Sequence, residues 1–187
     1  MRTISWDEYT ASDSLLVDPL AVTVGVFDGV HRGHQSLIRQ VCASPYLPTV
    51  VTFKQNPQQI LKPGAFGGDI MTLEEKLRVF EVLGVQLTVL IDFSAEFSKI
   101  SGRAFIDLLL NRPVKLIALG RNFRCGHGLD TGAEEIRSLA GAQGVEVCVM
   151  PPVMDEGQPV SSSRIRQALA AGRQAEAERL LNRSYRR

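Results

Sequence analysis

Ala21-Val-Thr-Val-Gly-Val-Phe-Asp-Gly-Val-His-Arg-Gly-His34 begins as an apolar run, breaks into glycine-punctuated polar residues, and enters a helical pattern. The run Ala21 to Phe27 lacks the alternation of a strand with one wet face, so it suits a parallel strand covered on both sides. Four more such runs follow: Thr49 to Phe53, Leu87 to Phe93, Val114 to Leu119 and Val145 to Met150. Helical patterns lie between them. His34 to Cys42 places Leu37, Ile38 and Val41 on one face. Thr72-x-x-Glu75 reads as a capping box ahead of Leu73, Leu77 and Phe80, with Gly84 ending the segment. Ser101 is placed to cap a helix that Pro113 stops, and Ala133 to Ala142 forms another. Ser162 to Ala171 and Arg173 to Leu181 close the chain. This order predicts an α/β fold: a doubly wound, mainly parallel five-stranded sheet with helices on both faces. Ligands in such sheets bind beyond the carboxyl ends of the strands, so the chemistry should follow the apolar runs. Lys54 to Met71, the longest irregular stretch, reads as a binding or lid loop.

The bulk numbers are those of one domain, residues 1–187, with 44% hydrophobic and 22% charged residues. A net charge of +1 creates no field that would draw in nucleic acid or an anionic membrane. The three cysteines, Cys42, Cys125 and Cys148, are odd in number and widely spaced, which fits reduced thiols in a cytoplasm. The first residues carry no apolar core of a signal peptide, and no run is long enough for a membrane helix.

His31 and His34 lie three apart at a helix start, so both rings can face one side. A helix N-terminus favours anions through free N–H groups and its dipole, and glycines let a backbone approach a ligand. Two imidazoles there suit a polyphosphate. A His-x-x-His pair can also ligate zinc, or be two unrelated histidines, but no Cys-x-x-Cys or His-Glu-x-x-His pattern supports a metal. No Walker A loop is present.

Val160-Ser-Ser-Ser-Arg-Ile-Arg166 opens a helix with hydroxyls and two guanidinium groups, a second phosphate cradle or an N-cap with neighbours. Gly120-Arg-Asn-Phe-Arg-Cys-Gly126 and Phe53-Lys-Gln-Asn-Pro57 follow two other strands and offer polar and aromatic contacts, though an ordinary turn explains either. His127 reads as a loop histidine without a role.

In this order the four segments resemble the FMN adenylyltransferase module of prokaryotic-type FAD synthetases. That module belongs to the nucleotidyltransferase superfamily, whose signature His-x-Gly-His is matched by His31 to His34. Gly120 to Gly126 and Ser161 to Arg166 match two further family segments, and the resemblance runs from about Thr23 to about Tyr185. It implies a Rossmann-like nucleotidyltransferase fold and the reaction FMN + ATP → FAD + pyrophosphate with Mg²⁺. Carried over by position, the catalytic residues are His31, His34 and Arg166. ATP would be bound by Gly25, Phe27, Asp28, His31, Gly33, His34, Asn122, Ser162, Ser163 and Arg166. FMN would be bound by Phe53, Asn56, Pro57, Asn122, Phe123 and Arg124.

The departures fall on the acceptor side. Gln55-Asn56 stands where the family has Pro-His, and Cys125 where it has a second Phe. Family members usually continue into a riboflavin kinase module, so no kinase activity is expected, and a separate riboflavin kinase chain would supply FMN. Rival readings are an adenylyl- or cytidylyltransferase for another acceptor, a flavin- or nucleotide-binding module without catalysis, and a zinc-stabilised interaction domain.

Overall fold

The computed structural model describes residues 1–11, 16–64 and 66–185. All five apolar runs form strands, and a sixth joins them. In chain order the central strands are β1 (Arg2–Ser5), β2 (Leu20–Val24), β3 (Leu47–Phe53), β4 (Leu87–Ile91), β5 (Val114–Gly120) and β6 (Glu146–Met150). The helices are α1 (Trp6–Thr10), α2 (Arg32–Cys42), α3 (Pro57–Leu61), α4 (Leu73–Val82), α5 (Gly102–Leu110), α6 (Ala133–Gly141), α7 (Ser162–Ala170) and α8 (Gln174–Leu181). The sheet order is β1-β4-β3-β2-β5-β6, and every neighbouring pair is parallel.

The expected five strands are thus corrected to six. Arg2-Thr-Ile-Ser5 carries one buried apolar side chain, Ile4, and pairs along a single edge with β4, so it shows no continuous apolar run. Ser5 then caps α1 in a capping box with Glu8.

All five residues of β2 are buried, as a strand covered on both faces requires. Leu20, Val22 and Val24 pack with Trp6 and Tyr9 of α1, Phe105 and Leu109 of α5, and Ile136 of α6. Ala21 faces the other way, with Leu37, Ile38 and Val41 of α2 and Phe80 of α4. Fully burying a side chain such as Phe80 is worth roughly 2 kcal/mol. A third cluster joins α7 and α8 to Ile70 and Val160. Thr72 and Glu75 form the expected capping box on α4, and Ser101 caps α5.

From β2 the chain moves to β3 and β4 on one side, and β5 and β6 lie on the other. The winding therefore reverses between β2 and β5. The crevice over their carboxyl ends is bounded by the turns that begin at Gly25 and Gly120, where an open α/β sheet places its ligand.

Candidate active site

The turn after β2 is held in a costly conformation. Phe27 (φ 53°) and the β-branched Val30 (φ 39°) lie in the left-handed region together with Gly29 (φ 79°). Three braces hold it. Gln35 donates from Nε2 to Val30 O (2.9 Å) and Leu181 O (2.8 Å), and Arg183 donates from Nη2 to Gly29 O (2.7 Å). Gln35 is buried, and the C-terminal residues reach back to set the geometry of the motif.

His31 is the N-cap of α2, and its Nδ1 accepts the His34 backbone N–H at 3.3 Å. A neutral His31 therefore carries its proton on Nε2. The two imidazoles stack with centroids 3.6 Å apart, and Phe27 meets the His34 ring edge-on at 5.0 Å. A Cβ on Gly33 would stand 3.2 Å from the His31 ring, so glycine leaves room for this stack. Burial lowers the His31 pKa to about 4, and burial with the neighbouring His31 and Lys76 charges pushes His34 well below the ordinary range. Both rings are neutral near pH 7 and act as hydrogen-bonding groups rather than cations. His34 Nδ1 is sealed from solvent without a partner.

A cavity of about 900 Å³ opens over β2 and β5. Gly25, Phe27, His31, Gly33 and His34 line it, with Phe53 at the end of β3, Pro57 beyond it, and Asn122, Phe123 and Arg124 after β5. All four sequence segments thus reach one space, the fourth only through Val160. Phe93 and Phe97, which the motifs did not single out, extend an aromatic wall. Phe53 and Phe93 meet edge-on at 5.7 Å, and Phe93 lies 5.8 Å from Phe97. His127, read from the sequence as a loop histidine without a role, also lines the cavity, with Nδ1 3.0 Å from Ser98 O.

A smaller cavity of about 330 Å³ lies alongside, lined by Asp28, Asn56, Asp69 and Lys76 among others, and Val26 lines both. Asn56, expected on the flavin side, faces this smaller space. Its Oδ1 accepts the Gln58 N–H (3.1 Å) as the cap of α3, and its amide donates to Asp69 (3.3 Å).

The fourth segment is arranged differently from the expected cradle. Ser161 caps α7, Ser162 Oγ donates to Asp28 O at 2.8 Å, and Ser163 is exposed. Arg164 is taken up by Asp155 and Glu176, which also engage Arg179 and Arg173. Arg166 pairs with buried Asp28 and donates from Nε to Gly68 O at 2.8 Å. Ser162, Ser163 and Arg166 line neither cavity. Burial raises the Asp28 pKa, against the Ile70 N–H and the Arg166 charge. Arg32, between the two histidines, donates to Asp155 at 2.9 Å and anchors the start of α2 to the same arginine cluster.

Lys76 was not singled out by the motifs. It is buried and donates to Val26 O, Thr52 Oγ1 and Phe53 O. Its signal was a lysine on the apolar stripe of α4, between Leu73 and Phe80.

Among the described residues no carboxylate lines the larger cavity, and no cluster of three or more His, Cys, Asp or Glu could hold a metal ion. The residues do not fit a resident metal site there. Cys42, Cys125 and Cys148 are free thiols, and no helix among the described residues could cross a membrane.

The parallel sheet, the switch-point crevice and the paired histidines define a nucleotidyltransferase-type α/β protein. The sequence model described as FAD synthetase matches residues 16–164, and the chain belongs to the FAD synthetase family. It is 31% identical over 170 residues to the "Bifunctional riboflavin kinase/FMN adenylyltransferase" of Escherichia coli strain K12, covering 88% of this chain and 54% of that protein. The chain thus spans about half the length of that relative. A Listeria monocytogenes "FAD synthetase" is 28% identical over 165 residues, covering 86% of this chain and 67% of the relative. A Streptococcus pneumoniae crystal structure described as a macrolide-efflux protein has a TM-score of 0.84 at 29% identity, covering 99% of this chain and 61% of that one. A Francisella tularensis pantoate-beta-alanine ligase shares the fold at a TM-score of 0.60 and 15% identity, covering 97% of this chain and 85% of that one.

Proposed function

We propose that this chain is a single FMN adenylyltransferase domain that transfers AMP from ATP to FMN, giving FAD and pyrophosphate in the cytoplasm, with no nucleic acid or membrane partner. The observation that carries this reading is the larger cavity, where the histidine turn, the Asn122 to Arg124 turn and an aromatic wall face one space. A polyphosphate at the histidine turn and a planar flavin against Phe53, Phe93 and Phe97 fit its two chemistries.

The FMN phosphate is a nucleophile at neutral pH, so no general base is needed. Its oxygen bonds to the α-phosphorus, the bond from that phosphorus to the bridging oxygen breaks, and pyrophosphate leaves with the electron pair. The protein aligns the two anions and stabilises the leaving charge. His31 supplies an Nε2–H donor that needs no deprotonation, and His34 a second imidazole held rigid by Phe27. Free N–H groups at the start of α2 add positive potential. Asn122, Phe123 and Arg124 line the same cavity and would contact the nucleotide and the flavin where the two meet. Asp28, Ser162, Ser163 and Arg166 lie outside the larger cavity, with Ser162 and Arg166 joined to Asp28; on this reading they serve ATP once Arg166 leaves Asp28 to meet the triphosphate. Mg²⁺ would arrive on ATP, supplying charge neutralisation through phosphate oxygens and water.

The test is product analysis with ATP, Mg²⁺ and either FMN or riboflavin. FAD from FMN and no product from riboflavin is expected. Absence of FAD with FMN would refute the reading, and FMN made from riboflavin would refute a single activity.

A further inference from the structure

We propose that Lys76 is a positioning residue that fixes the nucleotide wall and the flavin wall of the active site together, from behind. The inference rests on the adenylyl-transfer reading. Lys76 Nζ donates to Val26 O at 3.2 Å, Thr52 Oγ1 at 3.3 Å and Phe53 O at 3.0 Å. Thr52 Oγ1 itself donates to Val26 O at 3.1 Å. The acceptors sit where β2 and β3 end, and Lys76 comes from α4.

The placement separates this role from direct contact. Lys76 lines the smaller cavity, Phe53 the larger one, and Val26 both. The ammonium thus lies behind the wall of the larger cavity, on the side of the smaller one. An ammonium has three N–H donors, and all three find acceptors here, so none is left for a phosphate. Val26 leads into Phe27, whose ring packs against His34, and Phe53 continues the aromatic wall. One buried cation therefore sets the distance between the histidine turn and the flavin side. A hydrocarbon would fill this volume without desolvating a charge, so packing alone does not account for a lysine.

The charge state adds a second readout. Facing Lys76 are Asp28 from the glycine turn, Asp69 from the loop and His34 from α2, with Lys54 and Glu75 on the cavity wall. Burial brings Lys76 down to about 8, and Asp28 and Asp69 oppose that shift. The ammonium is present at neutral pH and is lost as pH rises through that value.

The experiment compares wild type with K76M and K76R. It reads FAD formation at varied ATP and FMN from neutral to alkaline pH, and binding of ATP and of FMN separately by calorimetry. K76M should lose about tenfold or more in kcat/KM for both substrates, and both ligands should bind more weakly. Wild type should show an alkaline decline centred near pH 8 that K76R, whose guanidinium stays charged, lacks. A K76M protein that is folded by circular dichroism, with unchanged kinetics and affinities, overturns the proposal. Where K76M does not fold, an alkaline decline in K76R identical to that of wild type overturns it. If wild type makes no FAD but binds both ligands, the functional reading fails, and the binding arms still decide the role of Lys76.

Discussion

Asp28 and Arg166 form an ion pair across 138 residues of chain, tying the strained glycine turn to the first turns of α7. Asp28 Oδ1 also accepts the Ile70 N–H at 2.9 Å, so the loop before α4 joins at the same carboxylate. Arg166→Ala would leave a buried carboxylate without its countercharge. Its unfolding free energy should fall by about 3 kcal/mol in urea titration. The Asp28→Asn/Arg166→Ala double variant should recover most of that stability. Its KM for ATP should stay raised; a normal value would show that Arg166 serves the fold alone.

His31→Ala and His34→Ala should each cost 10²- to 10³-fold in turnover, or about 3 kcal/mol, the usual effect of losing a transition-state donor. His31→Ala also removes a cap, worth about 1 kcal/mol of stability. His31→Asn restores a capping oxygen, so it should regain stability and remain slow. Single-turnover FAD formation beside urea unfolding separates the two effects.

The depressed imidazoles make stability depend on acid. In the unfolded chain His31 takes up its proton near the ordinary 6.5, whereas in the folded protein it does so only near 4. Between these values the unfolded state holds more protons, so stability is full above the upper value and is lost as pH falls toward the lower one. The urea midpoint should drop between about pH 6.5 and about pH 4, and His31→Asn should reduce the drop. A midpoint as acid-sensitive in His31→Asn as in wild type would assign the loss to other groups.

Phe93 sits between Phe53 and Phe97 on the wall of the larger cavity. Phe93→Ala should weaken FMN far more than ATP in calorimetry, since a planar ring loses its stacking partner. It should also destabilise the fold by about 3 kcal/mol because the residue is buried.

The sheet was legible because its central strands are buried on both faces and announce themselves as unbroken apolar runs. Arg2–Ser5 was not, since an edge strand with one buried side chain looks like any short extended segment. The histidine turn was legible from its glycines and spacing. The charged partners that hold it were not. No local pattern shows that Asp28 would take Arg166, or that Asp155 would gather Arg32, Arg164 and Arg179. Asn56 shows a related limit. It sits where a flavin contact was expected, but its side chain caps α3 and turns to the smaller cavity.

The brace from Leu181 and Arg183 onto Gly29 and Val30 bears on how this protein can be cut or fused. The segment matching the family ends at residue 164, before α8 and both brace residues. A polypeptide trimmed to that boundary would keep every strand but β1 and both histidines. It would lose the acceptor at Leu181 and the donor at Arg183 that keep Val30 in its unfavourable backbone region. Boundaries drawn from family likeness alone would yield a chain with the right residues and a relaxed turn. A tag joined beyond Tyr185 leaves that support in place.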